Sequence, residues 1–205
     1  MGVDPVPKPP AAAAPKVAAP PQGPPDPPPP ADRPIPAFIT TLQGALPGAV
    51  THVSFWVGDW TLIVAADRLL DVARHLHGAG FDFLNDLTAV DWPPRAERFD
   101  VVYCLTSIAQ KQRVRLKVHA ADGQPLPTVT TVWPSANWLE REVWDLFGIV
   151  FDGHPDPRRI LMWDEFKDFP MRKDYVEPDD YEYEPTPHDD ILEKAQRHYP
   201  TDLGA

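Results

Sequence analysis

The chain has 205 residues, of which 19 are Lys or Arg and 30 are Asp or Glu, so its formal net charge is −11. This length predicts one globular domain or at most two, and the acidic balance argues against a nucleic-acid backbone or an anionic bilayer as the main partner, because both attract positive surfaces. The single cysteine, Cys104, excludes an internal disulfide and cannot alone hold an iron–sulfur cluster, which needs about four thiolates. The longest uncharged stretch, residues 34–58, contains three prolines and several polar residues, and therefore predicts no membrane-spanning helix.

Proline divides the chain, because residues 1–36 contain 15 of the 28 prolines. Proline lacks the amide donor and fixes φ, so we expect polyproline II or disorder rather than a helix or sheet in this extension. A tether is the favoured interpretation of residues 1–36. The alternative is a Pro-rich binding module that an SH3-like partner recognises.

The folded part follows the extension, over residues 37–173. In chain order, the hydrophobic pattern predicts a helix over 35–46, strands over 50–57 and 60–65, a helix from Asp67 to Gly78, and strands over 81–91, 99–107 and 113–119. In the strand at 113–119, the alternation places Arg113, Arg115, Lys117 and His119 on a side that faces water or a partner. Together these elements predict an α+β fold, with a mixed sheet of about five strands and helices on one face.

A last helix is predicted over 136–147, with Ser135 as the N-cap and Gly148 as a left-handed stop. Its apolar stripe comprises Leu139, Val143, Leu146 and Phe147. The other side of the helix carries Glu140, Arg141, Glu142, Trp144 and Asp145, in which Arg141 and Asp145 are four residues apart and can pair. From the spacing alone, a solvated charged face with one stray aromatic and a docking face explain this side equally well.

The residues with catalytic or metal-binding potential are few. Asp152, His154 and Asp156 are a weak match to a metal site, and a His–carboxylate hydrogen bond that holds the loop is the preferred interpretation. No dinucleotide or P-loop motif is present, and Cys104 lies within an apolar strand, where burial is the usual state. These observations predict a module without cofactors or catalytic residues; a free-standing enzyme that uses Cys104 or the Asp152/His154/Asp156 group is the rival.

The acid excess is concentrated in the last segment, residues 174–205. Eight carboxylates and no Lys or Arg lie between Asp174 and Asp190, interleaved with tyrosines and prolines. Such a segment cannot bury itself and predicts an extended acidic tail. The alternative is an arm that lies across a basic partner and uses its tyrosines as anchors.

Residues 127–175 carry an ordered set of motifs: Pro-Thr-Val-Thr at 127–130, Glu-Arg-Glu-Val-Trp-Asp-Leu-Phe-Gly at 140–148, Gly-His-Pro-Asp at 153–156 and Arg-Arg-Ile-Leu at 158–161. This set resembles the 30 kDa (type-C) subunit family of NADH-quinone oxidoreductase, respiratory complex I. The resemblance covers about residues 37–176. Near its end the chain reads Asp-Phe-Pro-Met-Arg-Lys-Asp-Tyr-Val at 168–176, which keeps the family's Arg-Lys-Asp-Tyr core within a different frame.

The resemblance implies a scaffold in the peripheral arm of complex I, on the cytoplasmic side of the inner membrane. It implies that this chain has no cofactor of its own, because FMN, iron–sulfur clusters and quinone belong to other subunits, and that it packs against the quinone-site subunit and the subunit that bears the terminal iron–sulfur cluster. The predicted partner interface comprises Glu140, Arg141, Glu142, Trp144, Asp145, His154, Arg158, Arg159, Arg172, Lys173 and Asp174. The equivalent scaffold of a membrane-bound hydrogenase or formate hydrogenlyase is the nearest alternative.

Overall fold

The computed structural model describes residues 26–176. Its helices are α1 (Ala37–Ala45), α2 (Leu69–Gly78) and α3 (Ala136–Phe147), and its strands are β1 (Val50–Trp56), β2 (Asp59–Val64), β3 (Phe83–Asp91), β4 (Phe99–Ser107), β5 (Gln112–Ala120), β6 (Leu126–Pro127) and β7 (Phe151–Asp152). Two compact units divide at Lys173, and in the second unit the described residues 174–176 form no helix or strand. The predicted acidic segment from residue 177 onward lies outside the described residues.

The main sheet has five strands in the order β1-β2-β5-β4-β3. The β2–β5 pair is parallel and the other pairs are antiparallel, so the mixed sheet and the α+β class predicted from the sequence are confirmed. Because side chains alternate across a strand, the register aligns one apolar row along the core face: Val53, Leu62, Leu116, Tyr103 and Leu87. The apolar sides of the three helices join the same core. Each large side chain buried there contributes roughly 1.5–3 kcal/mol to stability.

Residues 26–33 pass along the outer edge of the sheet. The Phe55 amide donates to the Pro27 carbonyl oxygen (3.3 Å) on the free edge of β1, and the Arg33 guanidinium lies 4.2 Å from the Phe55 ring centroid. The Lys117 ammonium donates to both Asp26 carboxylate oxygens (2.7 and 2.8 Å). The structure therefore differs from the expectation of disorder over this end of the extension, because a segment without a core of its own can still pair with an exposed strand edge. It also buries Lys117, whose strand face was expected to be wet.

Helix α3 packs against β3, but its N-terminus differs from the prediction. The Ser135 side chain makes no capping hydrogen bond. Instead, the first helical amides are satisfied by a tight turn, in which Ala136 donates to the Trp133 carbonyl (3.0 Å) and Asn137 to the Pro134 carbonyl (3.2 Å). At the other end, Gly148 adopts the predicted left-handed conformation, with φ of 77°. A Cβ at Gly148 would lie only 2.5 Å from the Phe169 ring, so the loop after α3 closes tightly over this position.

Over residues 26–176, the three helices are too short and too polar to cross a bilayer.

Candidate functional site

Glu140 of α3 lies fully buried and holds the segment that precedes the helix. Its Oε1 accepts the Val129 amide (2.8 Å), and its Oε2 accepts the Thr128 hydroxyl (2.5 Å). Burial raises the pKa of Glu140 to about 7, although the hydrogen bonds from Thr128 and Val129 favour the ionised form. The side chain is thus a structural clamp between α3 and residues 128–130.

His154 lies beside this clamp. Its Nδ1 accepts the Asp156 backbone amide (3.0 Å), so we assign the ring proton to Nε2, which donates to the Asn137 carbonyl (3.1 Å). The same Nε2 is 3.9 Å from Glu140 Oε2. The histidine does hold the loop, but through a backbone amide rather than the predicted Asp156 carboxylate, because the short separation of the two residues forms a local turn.

Asp145 organises the loop after α3 from a fully buried position. Its Oδ2 accepts three consecutive backbone amides, from Ile160 (3.0 Å), Leu161 (2.8 Å) and Met162 (2.9 Å). Its Oδ1 pairs with Arg159 Nη1 (2.5 Å). Burial opposes ionisation, but the three amides and the guanidinium outweigh it and lower the pKa of the carboxyl. The predicted pairing of Arg141 with Asp145 is therefore wrong, because the loop supplies both the amides and the cation.

Arg141 binds the other half of the same loop. Its Nε and Nη2 donate to the carbonyl oxygens of Arg158 and Arg159, both at 2.9 Å. Its Nη1 lies 3.4 Å from the Asp156 carboxylate. A buried guanidinium that donates in a fork to two neighbouring carbonyls fixes the backbone direction as well as the position of the loop.

Arg159 lies at the centre of an aromatic cluster. Its guanidinium is 5.5 Å from the Trp144 ring centroid, 5.6 Å from Phe166 and 5.9 Å from Phe169. Cation–π attraction adds to the Asp145 ion pair at this distance. The two buried arginine sites thus hold residues 153–169 against α3 with little help from regular secondary structure.

The location of the predicted interface residues on α3 differs from the expectation of one polar outer face. Glu140, Arg141 and Asp145 are buried within the chain, whereas Glu142 is exposed and Trp144 is half-buried. The reason is that α3 is covered on both sides, by the sheet and by the loop, so the helix has no single polar face. The assignment of these residues to a partner interface stays a prediction.

The last predicted interface residues anchor the end of the first unit. Arg172 pairs with Asp122 and donates to the Phe147 carbonyl (3.4 Å). The Lys173 backbone amide donates to Asp91 Oδ2 (2.7 Å). Asp174 belongs to the second unit and is exposed.

A small pocket opens between α3 and the loop. Its volume is about 280 Å³, and it is lined by Trp144, Val150, Phe151, Pro157, Glu140, Arg141 and His154. The walls are apolar and the polar side chains at the pocket are already bonded within the chain, so the pocket fits an apolar side chain better than a polar substrate. Within residues 26–176, no group of three His, Cys, Asp or Glu side chains could hold a metal ion. The Asp152/His154/Asp156 pattern therefore has no geometric support as a metal site.

Cys104, the rival nucleophile, lies on the sheet face opposite α3. It is half-buried, and the strand register places it beside Arg115 and Asp86. Burial raises the pKa of the thiol, and the Asp86 charge raises it further. A reactive cysteine needs a lowered pKa, so this environment disfavours nucleophilic chemistry.

Sequence reasoning missed a group of exposed apolar side chains around the loop: Trp138, Val150, Leu161, Trp163 and Met171. They have no periodic spacing, so a search for helical or strand patterns passes over them. A search for large apolar residues between charged neighbours in a Pro-rich loop would have found Leu161 and Trp163.

Comparison with known proteins gives a consistent result. The family model described as "Respiratory-chain NADH dehydrogenase, 30 Kd subunit" matches residues 62–181. The chain is 44% identical over 143 residues to a type-C NADH-quinone oxidoreductase subunit of Rhizobium meliloti, an alignment that covers 68% of this chain and 79% of that protein. It is 46% identical over 138 residues to the type-C NADH-quinone oxidoreductase subunit of Novosphingobium aromaticivorans, where the alignment covers 67% of this chain and 45% of the relative.

Among solved structures, a chain of the membrane-bound sulfane sulfur reductase, an archaeal respiratory membrane complex, is similar in fold. The TM-score is 0.61 at 22% identity, and the match covers 82% of this chain and 93% of that chain. At this identity the likeness concerns the fold alone. The family match spans more than half of the chain and includes the entire buried network of α3 and its loop. This chain therefore belongs to the 30 kDa subunit family of respiratory-chain NADH dehydrogenase.

Proposed function

We propose that the chain is a cofactor-free structural subunit in the peripheral arm of a proton-translocating NADH:quinone oxidoreductase. It docks the quinone-site subunit and the terminal-cluster subunit, while electrons pass from NADH through FMN and iron–sulfur centres of other subunits to quinone. The chain is peripheral, on the cytoplasmic side of the inner membrane, and is held there by the complex. The names of the relatives, which are subunits of NADH-quinone oxidoreductase, support the activity of the assembly.

The observation that carries the proposal is the use of the motif's ionisable groups. Asp145 and Arg159 bind each other and the loop backbone, Arg141 binds loop carbonyls, and Glu140 binds residues 128–129. Groups engaged in this way shape a surface and are not available to bind or protonate a substrate. A subunit that contributes shape to an assembly needs this arrangement, whereas an enzyme would need at least one such group to face a reactant.

The charge reversal Arg158→Glu tests the docking role. The Arg158 side chain is 76% exposed and pairs at the surface with Asp156, so the variant should fold like the wild type. We expect it to block assembly and to abolish NADH:quinone activity in membranes. Arg113→Glu is the matched control, because Arg113 is 72% exposed and also pairs with an aspartate, Asp59, on the opposite sheet face.

Co-purification of the native chain followed by mass spectrometry identifies its partners directly. The quinone-site and terminal-cluster subunits should both be recovered with the wild-type chain. Normal assembly of the Arg158→Glu variant would contradict the docking role of this loop, and a chain that purifies with no other subunit would contradict the proposed function itself.

A further inference from the structure

The loop that carries Leu161 and Trp163 is held in place from below. The Leu161 amide donates to the buried Asp145 carboxylate (2.8 Å). The Trp163 ring packs edge-on against buried Phe166, with 4.8 Å between ring centroids. Phe166 in turn contacts the Arg159 guanidinium. Both outward side chains thus stand on a fixed base, so their conformation does not need to be ordered when a partner binds.

The upper side of this base leaves large apolar groups in water. We define the aromatic patch as the exposed apolar residues of α3 and the loop: Trp138, Val150, Leu161, Trp163 and Met171. Trp138 is 62% exposed and Trp163 is 52% exposed. Tryptophan is among the residues that dominate the binding energy of protein interfaces. Apolar exposure on a fixed base is typical of a binding surface.

The charges around the aromatic patch are mainly negative. The carboxylates of Glu142, Asp156, Asp164 and Glu165 outnumber the cations of Arg158 and Lys167. The hydrogen bond to Asp156, and then the charge of Asp164, raise the pKa of Arg158, which places these three groups in one surface region. A partner with a basic rim complements this surface, whereas a second copy would place acidic rim against acidic rim.

We propose that the aromatic patch is the contact through which the chain binds a neighbouring subunit, and that the partner's face is apolar with a Lys/Arg rim. This inference rests on the proposed function and specifies which surface performs it. The buried ion pairs hold the loop, and the aromatic residues make the contact. The partner's apolar side chains would cover Leu161 and Trp163, with room for one of them in the pocket beside Trp144.

The test compares two exposed tryptophans in the full-length chain, expressed with a tag in place of the native gene. The test variant is Trp163→Ala combined with Leu161→Ala. The control is Trp56→Ala, because Trp56 is 51% exposed, close to the 52% of Trp163, but lies on β1 and outside the family match. We expect the test variant to recover about tenfold less of the complex I subunits than the wild type, while the control recovers them normally. Thermal unfolding midpoints should match those of the wild type.

A charge variant tests the partner's rim. Glu165→Lys should weaken the recovery of the same subunits, and higher salt should weaken wild-type binding. Loss of subunits from the Trp56→Ala control with retention by the test variant would move the contact to the sheet face and overturn the inference. A wild-type dimer that becomes monomeric in the test variant, measured by light scattering, would overturn it in favour of a second copy. A wild-type chain without any complex I subunit would refute the proposed function instead.

Discussion

Glu140 predicts an unusual pH dependence of stability. Its carboxyl is fully buried, and its nearest potential cation, His154, is in the neutral tautomer required by the Asp156 amide. Burial therefore raises the pKa of Glu140 from 4.5 to about 7. Since the folded state holds this proton more tightly than the unfolded state, the free energy of unfolding should fall as the pH rises from about 4.5 to about 7, and should level off above that.

The magnitude follows from the size of the shift. One pKa unit corresponds to about 1.4 kcal/mol, so a change from 4.5 to about 7 corresponds to about 3 kcal/mol of unfolding free energy lost across the transition. The acids whose pKa is lowered have the opposite dependence, because Asp100 and Asp145 stabilise the fold above their unfolded pKa and lose that contribution as the pH falls. The two effects occupy separate pH ranges, so the Glu140 contribution can be isolated above about pH 5.

The assay is urea unfolding of the full-length chain between about pH 5 and pH 8, for the wild type and for Glu140→Gln. Glutamine can accept the Val129 amide and donate to the Thr128 hydroxyl without titrating, so the difference between the two proteins removes the contribution of all other groups. We expect the wild type to lose about 2–3 kcal/mol relative to Glu140→Gln over this range. Parallel pH profiles for the two proteins would refute the reasoning, because Glu140 would then ionise at its ordinary pKa in the folded chain.

Three other substitutions separate the remaining contributions. Gly148→Ala should lower the free energy of unfolding by about 1–3 kcal/mol more than Gly123→Ala, since both glycines have positive φ but only a Cβ at 148 meets an aromatic ring; equal losses in urea unfolding would contradict this. Asp145→Asn should cost about 3 kcal/mol or more and speed hydrogen exchange at the amides of 160–162, and unchanged exchange there would rule out the clamp. Asp26→Asn should cost about 1–3 kcal/mol, because it removes the anionic partner of buried Lys117, and an unchanged urea midpoint would count against the contact.

The sheet and helices could be predicted from the sequence because each has a regular period. The alternation of Val114, Leu116 and Val118 places these residues on one face whatever the neighbouring strands are. The helix boundary at Gly148 is similarly local, because a left-handed stop depends on one residue. The docking of residues 26–33 could not be predicted, because it depends on a free strand edge and a lysine that lie far along the chain.

The candidate site followed a different rule, because its charged residues satisfy groups that are distant in sequence. The four-residue spacing of Arg141 and Asp145 suggested a local pair, but the loop amides at 160–162 offer Asp145 three hydrogen bonds that a helix neighbour cannot provide. Glu140 similarly binds Val129 across 11 residues. Helical spacing shows which residues can meet within a helix, but not which of them an irregular loop will cover.

The distribution of charge and apolar surface in this region is the reverse of the ordinary one. Arg141 and Asp145 are inside, where charges are expensive to bury, while Trp138 and Trp163 are outside, where apolar groups lose the gain from burial. The two features have one explanation if the chain folds around its loop first and binds through it second. Buried ion pairs and amide hydrogen bonds hold a loop that has no repeating backbone structure, and the exposed faces of the tryptophans are then buried by another protein. A chain that functioned alone would have no reason to keep both arrangements, so the two together favour a subunit whose stability is completed in its assembly.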